Sequence, residues 1–87
     1  MSVYRYSVCK IDSNTFFELK NIESEKELKL FLNEHKFEIL HYSMDDRFRY
    51  IDEAKLFIDH VYHKDNSGDI IAIYDWLKCI WTDYWFL

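Results

Sequence analysis

Two histidines with helical spacing are the residues of this sequence that most readily suggest a chemistry. His60 and His63 lie three positions apart, next to Asp59 and Asp65, and on a helix such a pair points toward the same side. Imidazole and carboxylate groups together are typical zinc ligands. A complete site needs further ligands from elsewhere in the chain, for which the candidates are His41, Asp45 and Asp46. We instead expect solvated histidines near the C-terminal end of a helix, and we assign no metal ion.

Other combinations of reactive residue types are equally incomplete. Cys9 and Cys79 lack electropositive neighbours that would favour a thiolate nucleophile. Asp45 and Asp46 are adjacent in a charged segment, where carboxylates usually lie in solvent or cap a helix. The sequence contains no nucleophile elbow, no P-loop, no dinucleotide-binding glycine pattern and no Cys-x-x-Cys pair. Because it has a single glycine, it cannot form a phosphate-cradling loop. We therefore expect neither an enzyme nor a cofactor.

The strongest pattern is the C-terminal stretch from Asp69 to Leu87. Read as a helix, it has an apolar stripe with alternating steps of three and four residues, formed by Ile70, Ile73, Leu77, Ile80, Tyr84 and Leu87. One border of this stripe carries Tyr74, Trp81 and Trp85. The other border carries Trp76 beside Asp69 and Asp83. The stretch therefore predicts a long amphipathic helix whose core-facing side is flanked by indole rings.

Local signals predict the remaining elements. A β-rich segment at 2–11 and another at 15–20 suggest an N-terminal hairpin. Ser24 and Glu27 have the spacing of a capping box, which predicts a helix to about Glu34. Residues 36–43 follow as a central strand, 44–49 as a charged connection, and a second helix opens at Tyr50 or Asp52. We expect a single α+β domain over residues 1–87, ordered β-β-α-β-α-α, with a three-stranded antiparallel sheet, helices packed on one face and the long C-terminal helix.

Residues 57–74 have a second interpretation. Phe57–Lys64 and Asp69–Tyr74 flank the turn-forming segment 65–68 (DNSG), and together they are compatible with a β-hairpin. The isoleucine-rich composition favours this hairpin. The spacing of Asp52, Glu53, Ala54 and Lys55, and the stripe that continues to Leu87, favour two helices. We prefer the helices.

Composition and charge limit the classes of function. The chain is 49% hydrophobic and 20% aromatic, which argues against disorder. Its net charge is −5, and residues 51–87 hold seven acidic against three basic side chains. An acidic protein lacks the basic surface that nucleic acids and anionic membranes require. Since the N-terminal MSVYRYSVCK has no apolar core of signal-peptide length and the two cysteines have no evident disulfide spacing, we expect a cytoplasmic protein with reduced, mostly buried thiols.

These features lead to a functional hypothesis about a protein-binding surface. We expect a small acidic inhibitor that occupies a basic surface of a nucleic-acid-binding protein or nuclease. Its size, acidity and exposed aromatic residues are shared with phage anti-CRISPR and anti-restriction proteins and with toxin-immunity proteins, a likeness of physical character without a matching motif. The predicted binding residues are Tyr74, Trp76, Trp81, Trp85, Asp69, Asp75, Asp83, Asp45 and Asp46.

Three alternative hypotheses stay open for the same residues. In the first, the aromatic residues complete the core of a small domain, and the negative charge serves solubility alone. In the second, the C-terminal aromatic face is the contact surface of a structural or adaptor subunit that self-associates. The third is a metal-dependent enzyme that uses His60 and His63.

Overall fold

A computed structural model of the protein describes residues 4–87, and these form four strands and three α-helices around one sheet. The strands are β1 (Tyr6–Ile11), β2 (Met44–Phe48), β3 (Ile70–Asp75) and β4 (Ile80–Phe86). The helices are α1 (Glu25–Glu34), α2 (Lys36–Tyr42) and α3 (Ile51–Tyr62), and a short 3-10 helix spans Phe17–Asn21. The strand order is β2-β1-β3-β4, and all three neighbouring pairs are antiparallel. β2 and β4 are therefore the two edges.

β3 is buried along its whole length because the sheet is covered on both faces. Its six residues, IIAIYD, are all buried, as expected for a central strand that is apolar on both sides. Ile70, Ala72 and Tyr74 pack into one hydrophobic cluster. Ile71 and Ile73 pack into a second cluster on the opposite side. Alternation along this strand thus divides the core into two halves.

The helices lie on both sides of the sheet. Leu28, Phe31 and Leu32 of α1, with Ile39 and Leu40 of α2, belong to the first cluster. Ala54 and Ile58 of α3 belong to the second. The expectation that the helices pack on one face is wrong, because apolar residues on both faces of β1 and β3 each need a covering layer.

Two helices and one strand were predicted correctly. The Ser24 hydroxyl accepts a hydrogen bond from the Glu27 amide at 3.2 Å, and the Glu27 carboxylate accepts one from the Glu23 amide at 3.1 Å. The predicted capping box therefore opens α1, which ends at Glu34. Tyr50 is the N-cap of α3. β1 is confirmed from Tyr6 to Ile11. Residues 4 and 5 of the predicted strand are not part of it, and residues 2 and 3 lie outside the described residues.

Three predictions in the middle of the chain are wrong. Residues 15–20 form a loop and the start of the 3-10 helix instead of a strand. Residues 36–42 form α2 instead of a central strand, with Ile39 and Leu40 packed inward. The charged connection contains β2, whose residues are mostly exposed. Charged side chains are typical of a sheet edge, which is why β2 lacks an apolar strand pattern.

The predicted C-terminal helix is also wrong, since residues 70–86 form the β3–β4 hairpin. The turn between the strands, at residues 76–79, contains no glycine or proline; instead Cys79 adopts a positive φ of 57°. The alternative hairpin of Phe57–Lys64 with Asp69–Tyr74 is wrong as well, because residues 57–62 belong to α3. The sheet consequently has four strands rather than three.

Among residues 4–87, no helix is long and apolar enough to cross a membrane.

Candidate functional site

The three tryptophans occupy different positions on the β3–β4 hairpin instead of bordering one helix. Trp76 begins the turn and is 44% exposed, while Trp85 lies toward the other end of β4 and is 37% exposed. Trp85 pairs with Ile71, about five residues along the strand from the turn, which corresponds to roughly 17 Å. Trp81 is 8% exposed. The predicted continuous row of indole rings is therefore divided between the interior and two separate surfaces.

Trp81 and Tyr74 belong to the core. The Trp81 indole N–H donates a hydrogen bond to the Leu32 carbonyl at 3.0 Å. The rings of Tyr74 and Trp81 meet edge to face, with their centroids 4.9 Å apart. A buried indole requires an acceptor, and here the end of α1 provides one. These two residues join β4 to the helices and are not accessible to a partner.

Asp75 is a buried carboxylate that shapes the hairpin turn. It is 1% exposed. Its oxygens accept hydrogen bonds from Arg5 Nε at 3.0 Å and Arg5 Nη2 at 2.9 Å, and from the Leu77 amide at 2.9 Å. The Arg5 hydrogen bond holds the pKa of Asp75 below its ordinary value, although burial alone would raise it. This carboxylate is fully engaged within the fold.

The other predicted carboxylates do not form a continuous acidic border. Asp69 lies 3.7 Å from Lys10, and Asp83 lies 3.8 Å from Lys55. Asp45 accepts a hydrogen bond from the Tyr62 hydroxyl, and Asp46 accepts one from the Arg47 amide at 2.8 Å. Asp45 and Asp46 lie on β2, three strand spacings from β4, or about 14 Å across the sheet. The nine predicted binding residues are therefore not brought together.

The structure forms an acidic groove at the end of β4, which we call the β4 groove. Its volume is about 280 Å³, and it is lined by Ile22, Glu23, Ser24, Glu25, Leu28, Tyr84, Trp85 and Phe86. Phe86 is 44% exposed. The capping box fixes the backbone of the segment that carries Glu23 and Glu25. One wall is thus a rigid acidic helix start, and the other is the end of β4, where Tyr84 and Phe86 lie on the sheet face of Leu28 while the Trp85 side chain lies on the opposite face, with Ile71.

The carboxylates of this groove lie outside the ion pairs found among residues 4–87. Glu23 and Glu25 are exposed, and among residues 4–87 neither carboxylate has a Lys, Arg or His within the 4.0 Å of an ion pair. Glu23, Glu25 and Phe86 were not among the predicted site residues. No local pattern identifies them, because their proximity depends on the end of β4 lying beside the start of α1 in the folded chain. Of the predicted residues, only Trp85 lines this groove.

Trp76 belongs to a different groove, between α2 and the hairpin turn. This groove has a volume of about 430 Å³ and is lined by Lys36, Phe37, Leu40, His41, Tyr74, Trp76 and Cys79. Lys36 Nζ lies over the ring of Phe37 at 5.2 Å and over that of Tyr74 at 5.9 Å. The Trp76 indole N–H donates to the Ser7 hydroxyl at 2.7 Å. Aromatic rings of this groove are therefore already in contact with a cation of the same chain, and the groove lacks acidic lining residues.

The histidines considered for metal binding lie at the end of α3. His60 and His63 are exposed, and His63 Nδ1 is 3.2 Å from the His60 carbonyl oxygen. Within the part of the chain that the structure describes, no group of three or more His, Cys, Asp or Glu side chains is arranged to hold a metal ion. The sequence hypothesis of a zinc site thus has no set of ligands to support it.

Comparison of the chain with protein-family models, with curated proteins and with solved structures found no match.

Proposed function

We propose that this chain is an acidic protein-binding domain that inhibits a nucleic-acid-processing protein by occupying a basic surface of its partner. The observation that carries the proposal is the β4 groove, where the exposed Phe86 adjoins the carboxylates of Glu23 and Glu25 and the exposed Trp85 lies on the other face of the same edge strand. Phage anti-defence proteins and toxin-immunity proteins are the functional classes that we propose for it.

Electrostatics supports a basic partner. The chain carries a net charge of −5, and the two carboxylates of the groove have no counter-ion of their own among residues 4–87. On a basic surface that normally binds nucleic acid, such carboxylates take the place of phosphates. Complementary charge of this kind chiefly accelerates association and excludes unsuitable partners.

The aromatic side chains supply the short-range part of the interaction. Trp85 and Phe86 are exposed by 37% and 44%, so a partner that covers them buries additional apolar surface. Tryptophan is enriched among the residues that dominate binding energy, because it buries a large area with few rotatable bonds. The combination of aromatic anchor and charged border is typical of protein interfaces.

A self-associating adaptor is the second candidate function. The observation that favours it is the location of the same exposed aromatic residues on an edge strand, which is a surface that a second copy can also cover. Sedimentation over a range of concentrations distinguishes the two functions, since an adaptor forms a dimer that buries Trp85.

We propose the cytoplasm as the compartment. Cys9 and Cys79 are both free thiols, one buried and one exposed, and a reducing compartment maintains exposed thiols in that state.

A capture experiment with a matched pair of charge reversals tests the proposed function. Glu23→Lys/Glu25→Lys reverses the charge of the β4 groove, and Asp52→Lys/Glu53→Lys makes the same change in the first turn of α3. The wild-type domain, immobilised in host lysate, is expected to retain a basic protein, and the α3 variant is expected to retain it as well. The groove variant is expected to lose it, and inhibition of the purified partner's action on nucleic acid should fail with it. Equal recovery by all three forms would reject the proposal.

A further inference from the structure

The outer edge of β4 presents backbone hydrogen-bonding groups to solvent. The Leu87 amide donates a hydrogen bond to the Asp69 carbonyl at 2.7 Å, just beyond the Ile70–Phe86 pair. Hydrogen-bonding direction alternates along an antiparallel strand, so the N–H and C=O groups of Phe86 and Tyr84 point away from β3. Among residues 4–87, no backbone hydrogen bond outside the sheet ladder involves either residue, and β4 pairs only with β3. The outward N–H and C=O groups of Tyr84 and Phe86 are therefore available to pair with a further strand at the β4 groove.

The two sheet edges differ in how they are protected from pairing. β2 carries Asp45, Asp46 and Arg47 in succession, which discourages pairing with another chain. β4 reads IWTDYWF, and its single charge, Asp83, lies 3.8 Å from Lys55. A register shift opposite Ile73 and Tyr74 leaves residues 83–86 as its regular part. Proline, lysine and a run of charges, the usual protective devices, do not occur in β4.

We propose that the partner binds by adding an extended basic segment to the outer edge of β4 as a fifth strand of the sheet. This inference rests on the proposed function and specifies how its binding site works. Backbone groups of Tyr84 and Phe86 form the ladder. On one face of the sheet Glu23 and Glu25 face basic residues of the added strand, and on the other face Trp85 contacts its apolar residues. Strand addition of this kind takes affinity from the main chain and specificity from alternate side chains.

Charge selects this occupant over a second copy of the chain. A segment rich in Lys or Arg complements Glu23 and Glu25, which have no basic neighbour among residues 4–87. A second copy also has a net charge of −5 and brings another Glu23 and Glu25. Like charges across an interface are unfavourable, so the structure favours a basic heterologous strand.

A peptide probe tests the backbone contribution directly. The probe is a fluorescent, end-capped heptapeptide of alternating Lys and Val, and its control is the same peptide with alternate backbone nitrogens methylated. Both carry the same charge, but the methylated peptide cannot complete the ladder. Fluorescence anisotropy with the wild-type domain should show binding of the first peptide and at least about tenfold weaker binding of the second, as expected when backbone hydrogen bonds are lost. Equal binding of both peptides, or binding of neither, would overturn strand addition.

A pair of variants provides the same test from the side of the domain. Phe86→Ala and Phe86→Pro both remove the aromatic ring, but only proline removes the outward N–H. Proline is tolerated on a sheet edge where its missing donor faces solvent, and circular dichroism checks that both variants fold. Phe86→Pro should bind the peptide about tenfold more weakly than Phe86→Ala. Equal affinity of the two folded variants would contradict the proposal.

The outcomes separate this inference from the proposed function. If Glu23→Lys/Glu25→Lys abolishes partner capture while Phe86→Pro binds the peptide as well as Phe86→Ala does, the acidic groove is supported as the binding site and strand addition is rejected. If Phe86→Pro loses binding while Glu23→Lys/Glu25→Lys retains it, strand addition at β4 is supported and the acidic basis of the proposed function is rejected. A concentration-dependent dimer in sedimentation that Phe86→Pro abolishes would assign the edge to a second copy and overturn the basic occupant.

Discussion

Individual tryptophan residues have different roles in this domain, which their exposure and hydrogen bonds distinguish. Trp81 is 8% exposed and donates to the Leu32 carbonyl, whereas Trp85 is 37% exposed and lines the β4 groove. The sequence pattern predicts the same role for both residues, because it places them on one border of one helix. The structure makes Trp81 a core residue and leaves Trp85 accessible to a partner.

Alanine substitution should separate these two roles. Trp81→Ala leaves a cavity and an unpaired carbonyl, and it should destabilise the fold by about 3–5 kcal/mol. Trp85→Ala should cost about 1 kcal/mol, since the ring is already partly in water, while weakening partner binding. Urea denaturation checks stability. A comparable loss of stability in both variants would contradict the assignment of Trp85 to a binding surface.

Asp75 should make stability dependent on acidic pH. Arg5 holds its folded-state pKa below the unfolded value, so the stabilisation is present above about pH 4 and is lost as pH falls through the lower, folded-state pKa. Asp75→Asn should cost about 1.5–3 kcal/mol at pH 7, the range for hydrogen bonds to charged groups. Denaturation at pH 7 and pH 3 should show a smaller difference for the variant than for the wild type. Hydrogen bonds from Thr15 and Ser67 also lower the pKa values of Asp12 and Asp65. If the stability of the variant and of the wild type changed identically with pH, these two residues, and not Asp75, would account for the dependence.

The two thiols should react at very different rates. Cys79 is exposed, while burial of Cys9 raises its pKa to about 12. Because the thiolate is the reactive form, an aromatic disulfide reagent at pH 8 should modify one thiol promptly and the second only after unfolding. The Cys79→Ser variant should show only the slow reaction. Prompt reaction of two thiols in the native protein would contradict the buried position of Cys9.

At the scale of elements, local signals identified α1, α3 and β1 but not the C-terminal hairpin. Ile70, Ile73, Leu77 and Ile80 have helical spacing by coincidence: the first two lie on opposite faces of β3, which is covered on both sides. A strand buried on both faces has no alternation, so a short apolar run resembles a buried helix. The turn between β3 and β4 also has no glycine or proline to indicate it in the sequence. Its shape comes instead from the hydrogen bonds of Asp75 and from the positive φ of Cys79.

This turn provides a prediction about backbone strain. Cys79 has a φ of 57° and Gly68 a φ of 84°, and non-glycine residues are disfavoured in this region. Cys79→Gly should therefore stabilise the fold by up to about 1 kcal/mol, and Gly68→Ala should destabilise it by about 1 kcal/mol. Thermal denaturation measures both changes. A loss of stability on Cys79→Gly would contradict the turn geometry.

The elements that form the candidate site also explain why most of it could not be predicted. Trp85 was identified from its residue type, but Glu23 and Glu25 were assigned only to the start of a helix. Their position beside Phe86 depends on a contact between segments about 60 residues apart, and local pattern has no information about such a contact. The acidic residues that were predicted proved to be mostly engaged by Arg5, Lys10 and Lys55.

At the scale of the whole molecule, the net charge of −5 predicts an acidic surface but not its location. Ion pairs neutralise several C-terminal carboxylates. Within the described part of the chain, the carboxylates without a counter-ion at the β4 groove come from the start of α1. An acidic groove on a domain of negative net charge should attract a basic partner over long range, and salt should screen this attraction.

The most direct test is the association rate constant of the captured basic partner at low and high salt. Wild type, Glu23→Lys/Glu25→Lys and Asp52→Lys/Glu53→Lys are compared, because both variants have the same net charge. The groove variant should associate roughly tenfold more slowly at low salt, the α3 variant should stay close to the wild type, and high salt should reduce the difference. Equal slowing of both variants would show that only net charge matters and would contradict a binding site at the β4 groove.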